Sequence, residues 1–188
     1  MGATNARNLY LFAGNDGVNM RDPFGAACAG WDYTYDTCGN VVDSTANNLN
    51  YDRYFLLYEG ELYRLDAPLS PVSGVEYWVI EETLVPVLVA QLASVPKQTY
   101  NTRAEIGWHS RKDGANLDFK QYIASTAVML WGKGAYHYDK IANMAWGYYV
   151  ASNSTIELGQ ALRYVRMAGG EDPMDQPFIY YGWKMVRR

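Results

Sequence analysis

Phe119-Lys120-Gln121-Tyr122-Ile123-Ala124-Ser125-Thr126-Ala127-Val128-Met129-Leu130-Trp131 is the stretch on which the expected fold turns. Phe119, Tyr122, Ile123, Thr126, Ala127, Leu130 and Trp131 follow one another in alternating steps of three and one, the spacing of one face of a 3.6-residue helix. That spacing predicts a helix, with Gly132 and Gly134 as its stop. Further along, Asp139 is placed to cap a helix that carries Ile141, Met144, Ala145 and Tyr148 on one face and ends at Ser152-Asn153. A third helix is expected from Thr155, with Leu158, Leu162 and Val165 inside and Gly169-Gly170 after it. Asp172 before Pro173, or Asp175 with Pro177 in the first turn, opens a last helix that runs towards Lys184, its basic end complementing the helix dipole.

Working towards the N-terminus, Thr83 is a candidate cap for a helix to about Val95, with Pro86 in the first turn and Pro96 at its end. Tyr51 to Leu65 carries two aromatic-rich segments around Glu59-Gly60 and predicts a β-hairpin. Pro68, Pro71, Ser73 and Gly74 make a loop, and the Asn-, Gly-, Asp- and Thr-rich segment before about Asn50 reads as turns and loops. The expected class is therefore α+β and mainly α-helical, with a small N-terminal β-hairpin region followed by a helical bundle. No repeat of 20–50 residues is visible.

The 188 residues suit one domain, and 49% hydrophobic with 19% charged residues is the composition of a chain that folds. Sixteen Lys and Arg against twenty Asp and Glu leave a net charge of −4, which argues against the basic footprint of a nucleic-acid binder. Aromatic content is the outlier: 17 Tyr, 6 Trp and 5 Phe, so Tyr alone outnumbers all the cationic residues. The longest apolar run, Leu84 to Ala93, falls short of the roughly 18–20 residues needed to cross a bilayer, so no stable membrane insertion is expected. The N-terminus lacks the basic and apolar blocks of a signal peptide. Cys28 and Cys38 are either free thiols or a short-loop disulfide, and with His109 and His137 they lack zinc-site spacing, so neither a metal nor another cofactor is expected.

Asn8-Leu9-Tyr10, Asn15 and Asp22-Pro23-Phe24-Gly25 resemble the end of the conserved core of Rhs/YD-repeat proteins, with Gly17 and Ala26 as departures at the usual Pro and Leu. That resemblance implies that residues 1–25 end an Rhs core, which encloses the toxin in a β cocoon. Residues 26–188 would then be the toxin domain, divided into a loop and hairpin part over 26–75 and a mainly helical catalytic part over 80–188. Three later segments resemble the bacterial toxin type 44 family: Leu117-Asp118-Phe119-Lys120, the helix with Asn143, Gly147 and Tyr148, and Gly170-Glu171-Asp172-Pro173-Met174-Asp175-Gln176 with Ile179 and Gly182. Ala142 and Trp146 stand where that family has Gly and Tyr. The resemblance implies an antibacterial effector of interbacterial competition, delivered by a route such as type VI secretion and countered by a cognate immunity protein.

Asp118, Asp172 and Asp175 fall in the matching segments, with Lys120 beside the first. Paired carboxylates suit glycoside hydrolysis, in which one donates a proton and the other attacks or activates water. Lys120 could hold one of them ionised. Each Asp is equally a plausible helix cap. His137, between Tyr136 and Tyr138, titrates near neutral pH and is a candidate acid or base. Asn143 lies four residues from Gly147, and a helix-interior glycine implies close approach of another helix or of a substrate. Asn143, Tyr136, Tyr138, Tyr148 and Gln176 are the candidate substrate-binding residues. The favoured expectation is a muramidase-like hydrolase of peptidoglycan glycan acting in the target periplasm. The alternative is a cytoplasmic RNase using His109 or His137 with Lys120.

Overall fold

The computed structural model describes residues 30–72, 74–110, 115–167 and 175–187. The strands are β1 (Trp31–Tyr35), β2 (Val41–Ala46), β3 (Arg53–Tyr58), β4 (Glu61–Leu65), β5 (Trp78–Ile80), β6 (Ala127–Trp131) and β7 (Gly134–His137). The helices are α1 (Val85–Ala93), α2 (Arg103–His109), α3 (Tyr138–Asn153), α4 (Leu158–Met167) and α5 (Gln176–Val186). All seven strands join one mixed sheet in the order β2-β1-β3-β4-β7-β6-β5. The molecule is thus α/β around a large sheet, which overturns the expected hairpin region plus helical bundle.

The difference originates in the stretch that opened the sequence reading. Asp118 caps only a single 3₁₀ turn, Phe119–Tyr122, and the chain is extended again at Ile123. Ala127 to Leu130 are buried on both sides of the strand β6. A strand covered on both faces is apolar at every position, so its side chains fill helical and extended templates equally well. Gly132, at φ 61°, opens a two-residue turn into β7, with Trp131 opposite Gly134. The two glycines therefore belong to a hairpin rather than to a helix stop.

The loop expectation for the first segment is corrected too, because β1 and β2 form an antiparallel pair there. Every residue of β2 is exposed at the sheet edge, so no apolar periodicity marks it. The Asp36 carboxylate accepts from the Cys38 and Asn40 backbone N–H groups, each at 2.9 Å, and closes the turn between the strands. The hairpin over Tyr51 to Leu65 is present as β3 and β4. Glu59 and Gly60 both take positive φ, 51° and 82°, which matches the twist of the flanking strands.

Two cores flank the sheet. On one side α1, α3 and α5 cover Ile80, Ala127 and Met129, together with Phe119, Ile141, Met144 and Val150. On the other, Tyr35, Leu56, Leu65, Val128, Leu130 and Ala135 pack with Leu69 and Tyr77 from the loop before β5. Each fully buried Leu, Ile or Val contributes about 1.5–3 kcal/mol relative to an exposed one.

The later helices stand close to expectation, with shifted starts. Glu82–Leu84 is 3₁₀ and α1 follows with Pro86 in its first turn, so Thr83 is not its cap. His137, not Asp139, precedes α3 as its cap residue, and α4 begins at Leu158 rather than Thr155. α2 was not expected, although Thr102 and Glu105 form a reciprocal capping box at its start.

α3 and α5 run in the same general direction. Lys140 meets Asp175 at their beginnings, and Arg187 donates to the Ala151 and Ser154 carbonyls at their ends. They touch through Gly147, against the Ile179 carbonyl, and Gly182, against the Met144 carbonyl. The expectation of something packed on Gly147 is thereby answered by a helix.

Candidate active site

β7 ends at His137 and α3 starts at the next residue, so the sheet delivers the imidazole to the mouth of a helix. β4, the neighbour of β7, ends one residue before Asp66. The Asp66 carboxylate accepts from the His137 backbone N–H at 3.3 Å and faces His137 Nδ1 at 2.6 Å. A carboxylate has no proton to give, so Nδ1 carries a hydrogen, and in the neutral imidazole the lone pair is then on Nε2. That is the geometry of an oriented general base. The two side chains are 18% and 20% exposed, partly shielded yet reachable.

One turn into α3, the Lys140 ammonium donates to Asp139 at 3.0 Å and to Asp175 at 2.7 Å. Burial pushes the Lys140 ammonium down, but the hydrogen bonds to Asp175 and Asp139 outweigh it and hold it above the ordinary lysine range. Asp175 is buried and its side chain makes no cap bond to α5, so its carboxylate serves Lys140. The cap alternative for Asp175 is thereby set aside.

Asp66, Ala67, Tyr136, His137, Asp139, Lys140 and Phe178 line one pocket of about 240 Å³. Its wall is an edge-to-face pair, Tyr136 against Phe178, with ring centres 4.9 Å apart. Asp66 and Asp139 line it beside one ammonium and one imidazole, and Asp175 sits behind Lys140, so carboxylates outnumber the ammonium. Such a site disfavours a chain that carries a negative charge on every residue.

Of the predicted residues, His137 and Tyr136 line this pocket, and Asp175 reaches it through Lys140. Tyr138 is the first residue of α3 and Gln176 the first of α5, both half-buried near its rim. Asp118 and Lys120 are elsewhere. The Asp118 carboxylate accepts from the Lys120 backbone N–H at 3.2 Å, which is the cap role. Phe119 between them packs its ring 6.0 Å from that of Tyr149, eleven residues along α3 from Tyr138 and so about 16 Å from the pocket end. Tyr148 lines a separate hollow with Ala90, Pro96 and Asn153 at that far end. His109 stacks on Tyr100 with ring centres 3.9 Å apart, at the end of α2.

Asn143 follows Lys140 by one turn, and its side-chain N–H₂ is buried with no hydrogen-bond partner. Asp172, Cys28 and the segment resembling an Rhs core lie outside the described residues; Cys38 is exposed. Among the described residues no group of three His, Cys, Asp or Glu is arranged to hold a metal, and no helix is long and apolar enough to cross a membrane.

Asp66, Lys140 and Phe178 escaped the sequence reading. Asp66 lies in the loop after the predicted hairpin, 71 residues from His137, with no local pattern to mark it. No protein-family profile, curated protein or solved structure matches the chain.

Proposed function

We propose that the chain is a hydrolase toxin that cleaves peptidoglycan glycan, with His137 as general base, Asp66 as the group that orients it, and the Asp139–Lys140–Asp175 cluster as the polar floor of the site. The observation that carries this reading is the Asp66–His137 pair opening into a carboxylate-lined, aromatic-walled pocket. A base whose Nε2 is free and whose ring is fixed can take the proton of the water that attacks the anomeric carbon, and the imidazolium so formed can return it to the departing glycosidic oxygen. Asp66 and Asp139 in the lining, with Asp175 behind Lys140, favour a glycan over a phosphodiester chain, and this is where the reading parts from a ribonuclease. The resemblance to type 44 toxins supports the antibacterial role. It carries with it a cognate immunity protein, while the resemblance of residues 1–25 to the end of an Rhs core supports an Rhs carrier, and the acidic composition favours the periplasm of the target cell.

The test is expression in bacteria with and without a periplasmic leader, together with digestion of purified sacculi. Lysis confined to the periplasmic form, release of new reducing ends from sacculi, and loss of both in His137→Ala are expected. Killing by the cytoplasmic form with sacculi left intact would overturn the reading.

A further inference from the structure

α5 places Phe178, Tyr181 and Met185 along one stripe, at steps of three and four. Phe178 packs on Tyr136 of β7, and Tyr181 packs on Trp131 of β6, with ring centres 4.9 and 5.6 Å apart. The His137 pocket is at the Phe178 end of this stripe. At the other end is a second, larger cavity of about 530 Å³, lined by Trp131, Tyr181, Lys184, Met185 and Arg187. The two hollows therefore lie along a single seam between α5 and the β6–β7 hairpin. From Phe178 to Lys184 the helix rises about 9 Å, closer to a disaccharide than to a single sugar ring.

The two ends differ in charge. Arg187 is committed, donating to the Ala151 and Ser154 carbonyls and lying over the Trp183 ring. Lys184 is exposed, makes no ion pair among the described residues, and sits 4.9 Å from the centre of the Tyr180 ring. The far end thus offers two aromatic faces and an ammonium that is hydrogen-bonded to Tyr180 but has no carboxylate among the described residues, whereas carboxylates outnumber the ammonium at the His137 end.

Building on the hydrolase reading, we propose that the Trp131–Tyr181–Lys184 cavity is a distal subsite for the glycan strand: the rings stack on sugar faces and Lys184 meets a carboxylate carried on every second sugar. The acidic stem peptides, amide-bonded to the lactyl groups of peptidoglycan, supply such carboxylates, whereas chitin presents the same β-linked rings without them. A nucleic-acid strand fits less well, because it carries a phosphate at every residue and several would face Asp66 and Asp139, whereas the glycan carries a carboxylate only on every second sugar.

Co-sedimentation of the full chain carrying His137→Ala, which leaves the strand uncut, tests this with purified sacculi, insoluble chitin and poly(U) RNA as probes. Adding Tyr181→Ala is expected to weaken binding to sacculi and to chitin about fivefold or more. Adding Lys184→Glu is expected to weaken binding to sacculi by a similar factor and to leave chitin unchanged. Unaltered sacculus binding in both variants overturns the subsite, as does binding of poly(U) in preference to sacculi that Lys184→Glu abolishes. If the variants weaken sacculus binding as expected but the unsubstituted chain releases no reducing ends, the subsite stands and the hydrolase reading falls. Cleavage of sacculi with binding indifferent to both variants gives the reverse result.

Discussion

Gly147 and Gly182 are each other's clearance: the absent side chain of Gly147 admits the Ile179 carbonyl of α5, and that of Gly182 admits the Met144 carbonyl of α3. A Cβ at either position would overlap a backbone oxygen, which no rotamer change relieves. Gly182→Ala is expected to destabilise the protein by about 3 kcal/mol, at the high end of overpacking costs, and to lower Tm by about 6–12 °C in thermal denaturation. The helix separation also sets the Lys140–Asp175 distance, so the same variant should lose activity on sacculi even below its Tm.

Asp66→Asn should leave the fold intact and cripple the chemistry. An amide can hydrogen-bond Nδ1 as donor as readily as acceptor, so the imidazole loses its fixed tautomer. The expected outcome is a fall in kcat of at least about a hundredfold, the scale of general acid–base assistance, with sacculus binding and Tm within a degree or two of the unsubstituted chain. A comparable loss of binding would mean that Asp66 shapes the pocket rather than the base.

Lys140→Met removes the cation between two carboxylates and should cost about 3 kcal/mol, because Asp175 is left buried without its counter-ion. Combining it with Asp175→Leu should recover part of that loss, measurable as a non-additive double-mutant cycle in urea. The sign of the pH effect follows from the raised Lys140 value. The ion-paired ammonium contributes fully below the ordinary lysine range of about 10.5 and fades only as pH rises through its higher folded value. The penalty of Lys140→Met should therefore be constant between pH 6 and 9.

Asn143 spends a buried amide on no partner, a cost of about 1–3 kcal/mol that an apolar side chain of similar volume would avoid. Asn143→Leu is expected to raise Tm by a few degrees. If the amide serves substrate, as the sequence reading expected, the stabilised variant will bind sacculi less well. Unchanged binding would assign the orphan donor to packing alone.

At the other end of the sheet, Arg53 donates to the Asp32 carboxylate through Nε at 2.8 Å and Asn47 adds a bond at 2.6 Å, tying β1, β3 and the loop after β2. The Arg53 hydrogen bond holds the Asp32 carboxyl below the usual carboxylate range, with Asn47 assisting against desolvation. A lowered carboxyl contributes stability above its unfolded value of about 3.9 and loses it as pH falls through its folded value. Asp32→Asn should therefore lower Tm at pH 7, with the gap to the unsubstituted chain closing as pH approaches about 2.

What the amino-acid order revealed depended on where each element faces. The β3–β4 hairpin was legible because Glu59-Gly60 punctuates two aromatic-rich segments, and α3 because Ile141, Met144, Ala145 and Tyr148 recur at helical spacing, although the helix proves to be buried nearly all round. β6 was misread because it is covered on both sides, and β2 was overlooked because it is covered on neither. His137 stood out as an imidazole between two tyrosines. Its partner did not, since Asp66 owes its role to strand order, and two strands brought side by side leave no trace at either site alone. Asp175 was found by resemblance, yet its work as the Lys140 counter-ion was hidden behind an equally good cap motif.

The seam where β4 joins β7 has two register pairs, Arg64 with Gly134 and Leu65 with Ala135, and among the described residues it is the one strand contact between β2-β1-β3-β4 and β7-β6-β5. Asp66 sits on one side of it and His137 on the other. Neither half of the sheet, however well formed, holds both members of the pair. If the pair is the proposed base and its orienting group, a chain held open at this seam would be disarmed without either residue being altered, because the two lie 71 residues apart and meet only when β4 and β7 pair.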